Sequence, residues 1–316
     1  MKTNKLKVGV IGVGSLGQWH ARIYSEIENT ELVGVYDASP ERAKEIAERY
    51  NTKPYSSMEE LAAAIDAASI AVPTDLHFEV FEKMLPHKVN MLVEKPIAAS
   101  YEQAEKMVTQ AESNGIILQV GHVERFNPVM TFLEKNLSNP RFIESTRLAP
   151  FPPQRVGAPP RGTEVSVVLD LMIHDLDIIL QLTRSPVKSI NATGVSVLSP
   201  TEDIANARIN FENGCVANVT ASRISQEQQR KIRVFQDDTY LSLDYMNQSG
   251  QLCRKTATGI EAMEVPIDKT EALAAELQSF VNCVQQHNDP VVTGANGTEA
   301  LQLAVTICKI IKENPS

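Results

Sequence analysis

The chain has 316 residues, 43% of them hydrophobic and 22% charged, with 30 Lys and Arg against 39 Asp and Glu. A net charge of −9 repels phosphate backbones and anionic lipid, so nucleic-acid and membrane-surface partners are not expected. Any anionic ligand must be held by local arginines, lysines or backbone N–H groups. No apolar run is long enough to span a bilayer. The four scattered cysteines (Cys215, Cys253, Cys283, Cys308) form no C-x-x-C pair, which points to a reducing, cytoplasmic setting.

The first part of the chain alternates short apolar runs with amphipathic segments. Strands are expected at Leu6–Ile11, Leu32–Tyr36, Ala68–Val72, Asn90–Val93 and Ile116–Val120. Helices are expected to begin at Leu16, Pro40, Met58, Leu76 and Ser100. Ser57 with Glu60, and Ser100 with Gln103, have capping-box spacing, while Asn114–Gly115 reads as a helix stop. This alternation predicts a doubly wound parallel sheet over residues 1–124, covered by helices on both faces.

After residue 125 the rhythm changes. RFIESTRL reads as a strand and is followed by the Pro-rich loop APFPPQRVGAPPRG and the aliphatic segment VVLDLMIHDLDIIL, which reads as a buried helix. From Ile190 to Ile267 the chain reads as successive strands, with IANARINF and CVANVTAS forming a hairpin around Asn213–Gly214. Glu271–His287 and Thr298–Lys312 close it as helices. Residues 125–316 are thus expected to form an α+β domain with a large, mainly antiparallel sheet. Helices on one face would leave the other open for pairing, predicting a homodimer or homotetramer. Arg230, Lys231 and Arg233 fall on that sheet and are assigned to subunit contacts.

KVGVIGVGSLGQWH places Gly12, Gly14 and Gly17 after an apolar strand and at a helix start. In that context the first glycine permits the tight turn, the second lets a pyrophosphate approach closely, and the third lets helix and strand pack. The N–H groups near Ser15 and Leu16 would face the anion. Asp37, at the end of the next strand, is placed to accept both ribose hydroxyls of NAD and to repel a 2′-phosphate. Ser39 and Arg42 leave room for some NADP use.

Further predicted strand ends carry Pro73, Thr74 and His77, then Glu94, Lys95 and Pro96, then His122, Arg125 and Asn127. The carboxyl ends of strands are where doubly wound sheets bind ligands. A desolvated Lys95 would have a lowered pKa and serve as acid or base. In the aliphatic helix, Asp170, His174 and Asp177 fall at i, i+4 and i+7 on one face. A divalent metal there would lack a full ligand set, so none is expected, and Asp177 fits best as part of a buried hydrogen-bond network.

The order GVGSLG, then EKP at Glu94–Pro96, then D-x-x-x-H at Asp170–His174 resembles the glucose-fructose oxidoreductase and inositol dehydrogenase family (Gfo/Idh/MocA) over essentially the whole chain. The resemblance implies an NAD(P)-dependent, two-domain dehydrogenase with a Rossmann domain and a sugar or polyol substrate. Its lysine corresponds to Lys95 and its Asp and His to Asp170 and His174. Glu94 and Pro96 would shape the nicotinamide end, and the Pro73–Thr74 loop would lie beside the cofactor. Either Lys95 or His174 can take the hydroxyl proton, with Asp170 orienting its neighbour. GHVERFNP, LDLMIHDLDI and RKIRVFQDD look most like the branch that oxidises the 3-hydroxyl of UDP-N-acetylglucosamine. Arg125, Arg155 and Arg161 are then candidates for a pyrophosphate, since a guanidinium bonds phosphate oxygens bidentately. A free inositol or aldose dehydrogenase and a non-catalytic NAD-binding sensor are the alternatives.

Overall fold

The computed structural model describes residues 5–154 and 160–314. Backbone contacts divide the chain into one unit of residues 1–123 with 271–298 and a second of 124–270 with 299–316.

The first unit is built on a parallel sheet of β1 (Leu6–Ile11), β2 (Thr30–Tyr36), β3 (Lys53–Pro54), β4 (Ala67–Ile70), β5 (Asn90–Glu94) and β6 (Leu118–Gly121), in the order β3-β2-β1-β4-β5-β6. Between the strands run α1 (Gly17–Glu26), α2 (Pro40–Arg49), α3 (Met58–Ala62), α4 (His77–Met84) and α5 (Tyr101–Asn114). Every strand expected in this region is present to within two residues, because each is a short β-branched or aliphatic run buried on both faces. The two-residue β3 carries no such run and leaves no signal in the sequence. The Ser57 and Ser100 hydroxyls accept from the Glu60 and Gln103 amides, and Gly115 ends α5 at φ 66°. The strand order reverses between β1 and β4, the point where doubly wound sheets bind ligands.

In the second unit lie α6 (Pro128–Asn136), β7 (Phe142–Leu148), a π-helical turn (Val168–Met172), α7 (Ile173–Thr183) and seven further strands. These are β8 (Val187–Val195), β9 (Ile204–Phe211), β10 (Val216–Ser222), β11 (Gln229–Phe235), β12 (Thr239–Asp244), β13 (Ser249–Thr256) and β14 (Gly259–Glu264). The sheet runs β14-β13-β12-β11-β7-β10-β9-β8 and is antiparallel except where β7 meets β10. The β9–β10 hairpin turns at Gly214, whose φ is 85°. Alternate residues such as Ala207, Ile209, Val219, Ile232 and Val234 enter a core shared with Met172, Ile178 and Ile179. The opposite face carries polar cross-strand pairs, including Arg208 with Asn218 and Arg233 with Glu144.

One difference from the expected domain division concerns α8 (Ala272–Gln286), which belongs with the first unit rather than the second. Leu277, Phe280, Val281 and Val284 stand at i, i+3, i+4 and i+7 and are buried with Ile23, Tyr24 and the β1 residues Val8 and Val10. Asn29 and Arg22 hold the same helix through Gln285, Gln278 and Glu271. The division falls again inside α9 (Gly294–Glu313). No helix among the described residues is long and apolar enough to cross a membrane.

The aliphatic α7 buries two acids, Asp175 and Asp177. Asp175 accepts from Ser145 Oγ at 2.6 Å and Arg147 Nε at 2.7 Å, while Arg147 Nη1 reaches Glu124 at 3.1 Å. Asp177 pairs with Arg125 at 3.4 Å. Burial works against the Arg147 charge, but Asp175 and Glu124 outweigh it and raise its pKa above the usual range. Replacing Arg147 with Met leaves buried Asp175 without its cation and leaves Glu124 with only the half-exposed Arg230. Urea unfolding is expected to show a loss of about 3–5 kcal/mol, far above that of an exposed control such as Lys309→Met.

Candidate active site

Gly12 follows β1 at φ 81°, and its amide donates to Tyr36 O at 2.8 Å. A Cβ there would lie 2.8 Å from Ala71 O, and one on Gly17 would lie 1.8 Å from Gly12 O. Both positions therefore exclude any side chain. Gly14 is different, for a Cβ built on it meets nothing within 4 Å. Nothing among the described residues requires glycine at 14, and a bare Cα there leaves room for a ligand to approach closely. The first turn of α1 has neither a side-chain cap nor an acid, whereas a serine hydroxyl caps each of α2, α3 and α5. Exposed Gly14 and Ser15 lead into that open helix start, which suits a pyrophosphate.

Asp37 Oδ2 accepts from Val13 N at 2.8 Å and Oδ1 from Ser39 N at 2.9 Å. Two backbone bonds fix the carboxylate and leave each oxygen a lone pair for a ribose hydroxyl. Arg42 donates through Nε to Val13 O at 2.9 Å and through Nη1 to Glu45 at 2.7 Å, bracing the glycine loop. The residues present thus fit a dinucleotide.

At the end of β5, Glu94 is 8% exposed, and its Oε1 lies 3.1 Å from Nε2 of the buried His20. Burial alone would raise the Glu94 pKa. The hydrogen bond and charge of His20, with the charges of Lys95 and His77, reverse that and hold it below the ordinary carboxylate value. Gly121 makes room for this carboxyl, since a Cβ there would lie 3.1 Å from it. Lys95 and Pro96 are half-buried and joined by a cis peptide, Pro73 is exposed, and Thr74 is half-buried. The ring of His77, expected beside the cofactor, links two loops: Nδ1 lies 2.9 Å from Pro96 O and Nε2 3.0 Å from Val72 O. Burial keeps the imidazole pKa below its usual value against the pull of those carbonyls. The neutral ring at pH 7 therefore donates to one carbonyl at a time.

In the second unit, half-buried Asp170 lies in the π-helical turn and half-buried His174 opens α7. The wider turn replaces the uniform 3.6-residue period expected here; such turns recur at functional positions. Asp177 is drawn to Arg125 at 3.4 Å, so it joins a buried ion pair. Among the described residues, no group of three or more His, Cys, Asp or Glu side chains gathers to hold a metal ion. Asn127 spends its side chain on the protein: Oδ1 caps α6 at Val129 N, and Nδ2 reaches Glu124 and Tyr245 O. Arg125 is only 5% exposed in its side chain, and His122 is buried in the first unit. Arg161 is exposed; Arg155 lies outside the described residues. Arg230 and Arg233 pair within the chain, with Glu124 and Glu144. Lys95 belongs to the first unit and Asp170 and His174 to the second.

Sequence reasoning misses His20, Glu124 and Arg147. Arg147 has a readable signal, since Ile143, Ser145 and Arg147 share one face of a strand whose Ile143 must point inward. His20 has only its place on the buried face of α1, beside Ile23 and Tyr24.

Two outcomes are expected here. Gly14→Ala should leave the melting temperature nearly unchanged and weaken NADH binding, followed by fluorescence titration, at least about tenfold. Glu94 has a lowered folded pKa, so its contribution is full above its unfolded value of about 4.3 and is lost as pH falls through the folded value. The stability gap between wild type and Glu94→Gln should therefore shrink as pH falls below about pH 4 in urea titrations.

Comparison with known proteins agrees with this architecture. Residues 6–122 match the oxidoreductase family with an NAD-binding Rossmann fold, and residues 134–241 match the GFO/IDH/MocA C-terminal domain. UDP-N-acetylglucosamine 3-dehydrogenase of Acidithiobacillus ferrooxidans is 35% identical over 309 residues, covering 96% of each chain. Its solved structure superimposes with a TM-score of 0.93 at 34% identity, over 98% of both chains. The NAD-dependent scyllo-inositol 2-dehydrogenase of Bacillus subtilis is 26% identical over 96% of this chain and 93% of its own. The chain belongs to the Gfo/Idh/MocA family of NAD(P)-dependent oxidoreductases, with the family's Rossmann domain followed by its C-terminal domain.

Proposed function

We propose that this protein oxidises the 3-hydroxyl of UDP-N-acetylglucosamine to a 3-keto sugar, with NAD as the preferred cofactor. What carries the reading is end-to-end similarity to an enzyme named for that reaction, together with Lys95, Asp170 and His174 at the family's motif positions. Asp37, fixed by two backbone amides, favours NAD over a cofactor with a 2′-phosphate.

When bound, the nicotinamide supplies the hydride acceptor. Gly12, Gly14, Ser15, Leu16 and Gly17 hold the pyrophosphate through backbone N–H groups, and Asp37 holds the adenosine ribose. Pro73, Thr74, Glu94 and Pro96 shape the nicotinamide end. Loss of hydride from a secondary alcohol requires loss of its hydroxyl proton. His174 takes that proton, Lys95 donates a hydrogen bond that stabilises the oxygen as negative charge develops, and Asp170 orients the reacting groups. Arg161 is the described arginine best suited to the substrate pyrophosphate, because it is exposed in the loop before the π-helical turn. The polar open face of the eight-stranded sheet is the proposed pairing surface of a homodimer or homotetramer.

The test is reduced-nicotinamide formation with NAD or NADP across UDP-sugars, free aldoses and inositols, with a ketone trap. Turnover of UDP-N-acetylglucosamine and a 3-keto product by mass spectrometry are expected. Turnover of free inositols alone would discard the substrate and keep the chemistry, and silence with NADH still bound would favour a sensor. Lys95→Met should lower kcat roughly 100- to 10,000-fold while NADH affinity stays within about twofold.

A further inference from the structure

Arg223, just beyond β10, is the largest fully buried side chain of the described residues, at 2% exposure, and the dehydrogenase chemistry leaves it without a role. Each of its guanidinium nitrogens donates within the protein. Nε donates to Asp203 Oδ1 at 2.8 Å, and Nη1 donates to Gly162 O at 2.6 Å and Val165 O at 2.9 Å. Nη2 reaches Ser199 Oγ at 2.9 Å and Thr201 Oγ1 at 2.7 Å. Asp203, wholly buried, also accepts three consecutive backbone amides from Val197 to Ser199. Burial alone would raise the Asp203 pKa, but these donors hold it well below the usual range, so the pair is ionised at neutral pH.

The two carbonyls that Arg223 holds belong to the segment leading into the π-helical turn. Gly162 adopts φ 81°, and a Cβ built on it would lie 2.5 Å from Asp170 Oδ2. The Asp170 carboxylate therefore rests directly on the Cα of Gly162, whose carbonyl is tied to the guanidinium. Thr201 closes the same clamp, donating its hydroxyl to Val165 O at 2.8 Å while accepting from Arg223. Val167 N bonds Glu202 O at 2.9 Å immediately before the turn begins. A charged hub with its donors satisfied is rigid, because any displacement leaves buried charge unpaired.

We propose that Arg223 is a positioning residue for the reaction: through Gly162 and the Thr201 clamp it sets where the Asp170 carboxylate sits. This rests on the role given to Asp170 above. Arg161 precedes Gly162 directly, so the same anchor also fixes the backbone from which that arginine projects.

Removing Arg223 would strand Asp203 and threaten folding, so the test uses gentler changes. Thr201→Val removes one link of the clamp without unpairing a charge, Thr201→Ser keeps the hydroxyl, and Gly162→Ala drives a methyl into the carboxylate. Asp170→Asn is measured beside them with UDP-N-acetylglucosamine and NAD. Thr201→Val should lower kcat roughly 10- to 100-fold, the scale of a misplacement of about 1 Å, with KM and NADH affinity within about twofold. Thr201→Ser should restore the rate, Gly162→Ala should approach Asp170→Asn, and hydrogen exchange at the Val167 amide should quicken in Thr201→Val. If Thr201→Val and Gly162→Ala keep wild-type kcat while Asp170→Asn loses it, positioning by Arg223 is wrong and the site reading survives. Should Asp170→Asn itself stay active, the site reading fails and the positioning role falls with it. A drop in melting temperature with unchanged kcat in Thr201→Val also overturns the proposal.

Discussion

An aliphatic helix that carries buried acids must be met by cations, and the architecture of the second unit follows from that requirement. Asp175 and Asp177 on α7 are 2% exposed each. Leaving either unpaired in the core would cost far more than a helix gains from its own hydrogen bonds. Arg147 on β7 and Arg125 before α6 answer them, and Glu124 completes the charge balance of Arg147. An ion pair constrains orientation more tightly than apolar packing does, since it fixes direction as well as distance. The helix is thereby held in rotation about its axis. His174 lies next to Asp175 in sequence, so the pairing of Asp175 determines the side of the helix on which His174 stands.

The first unit shapes its glycine loop with backbone and meets its buried carboxylate with a histidine. Its glycine loop excludes side chains at Gly12 and Gly17 because carbonyls stand where a Cβ would be. Space is left at Gly14, where a Cβ would meet no described atom within 4 Å. Glu94 is a carboxylate that this unit buries next to Lys95, and His20 from α1 supplies its partner. The helix whose N-terminus carries no side-chain cap therefore also steadies the β5 end that bears Lys95. The end of the glycine loop and the placement of Lys95 share one element.

Buried charge in the two units thus serves position more than stability. Hydrophobic replacements of similar shape often match or exceed the stability of a buried ion pair. Arg147 with Asp175, and Arg223 with Asp203, both lie beside the segment bearing Asp170 and His174. A dehydrogenase needs its proton acceptor and its hydrogen-bond donor placed to within a fraction of an ångström, which apolar packing alone secures poorly.

Much of this is legible along the chain. Local spacing determines the strands of the parallel sheet, the serine caps, the Asn213–Gly214 turn, and a glycine loop followed by Asp37, because each depends on neighbours within a few residues. Only the tertiary structure decides that α8 belongs with the first unit, since its apolar stripe would fit either core. The same holds for the π-helical turn, which breaks a period that Val167 to Leu180 otherwise keep. It holds also for His77, whose ring holds backbone loops, and for Arg125 and Asn127, whose side chains bond within the protein. An ion pair such as Arg223 with Asp203 joins residues 20 apart, and Arg147 with Asp175 joins residues 28 apart. Sequence reveals that a buried charge needs a partner, but which partner reaches it depends on how the strands are ordered in space.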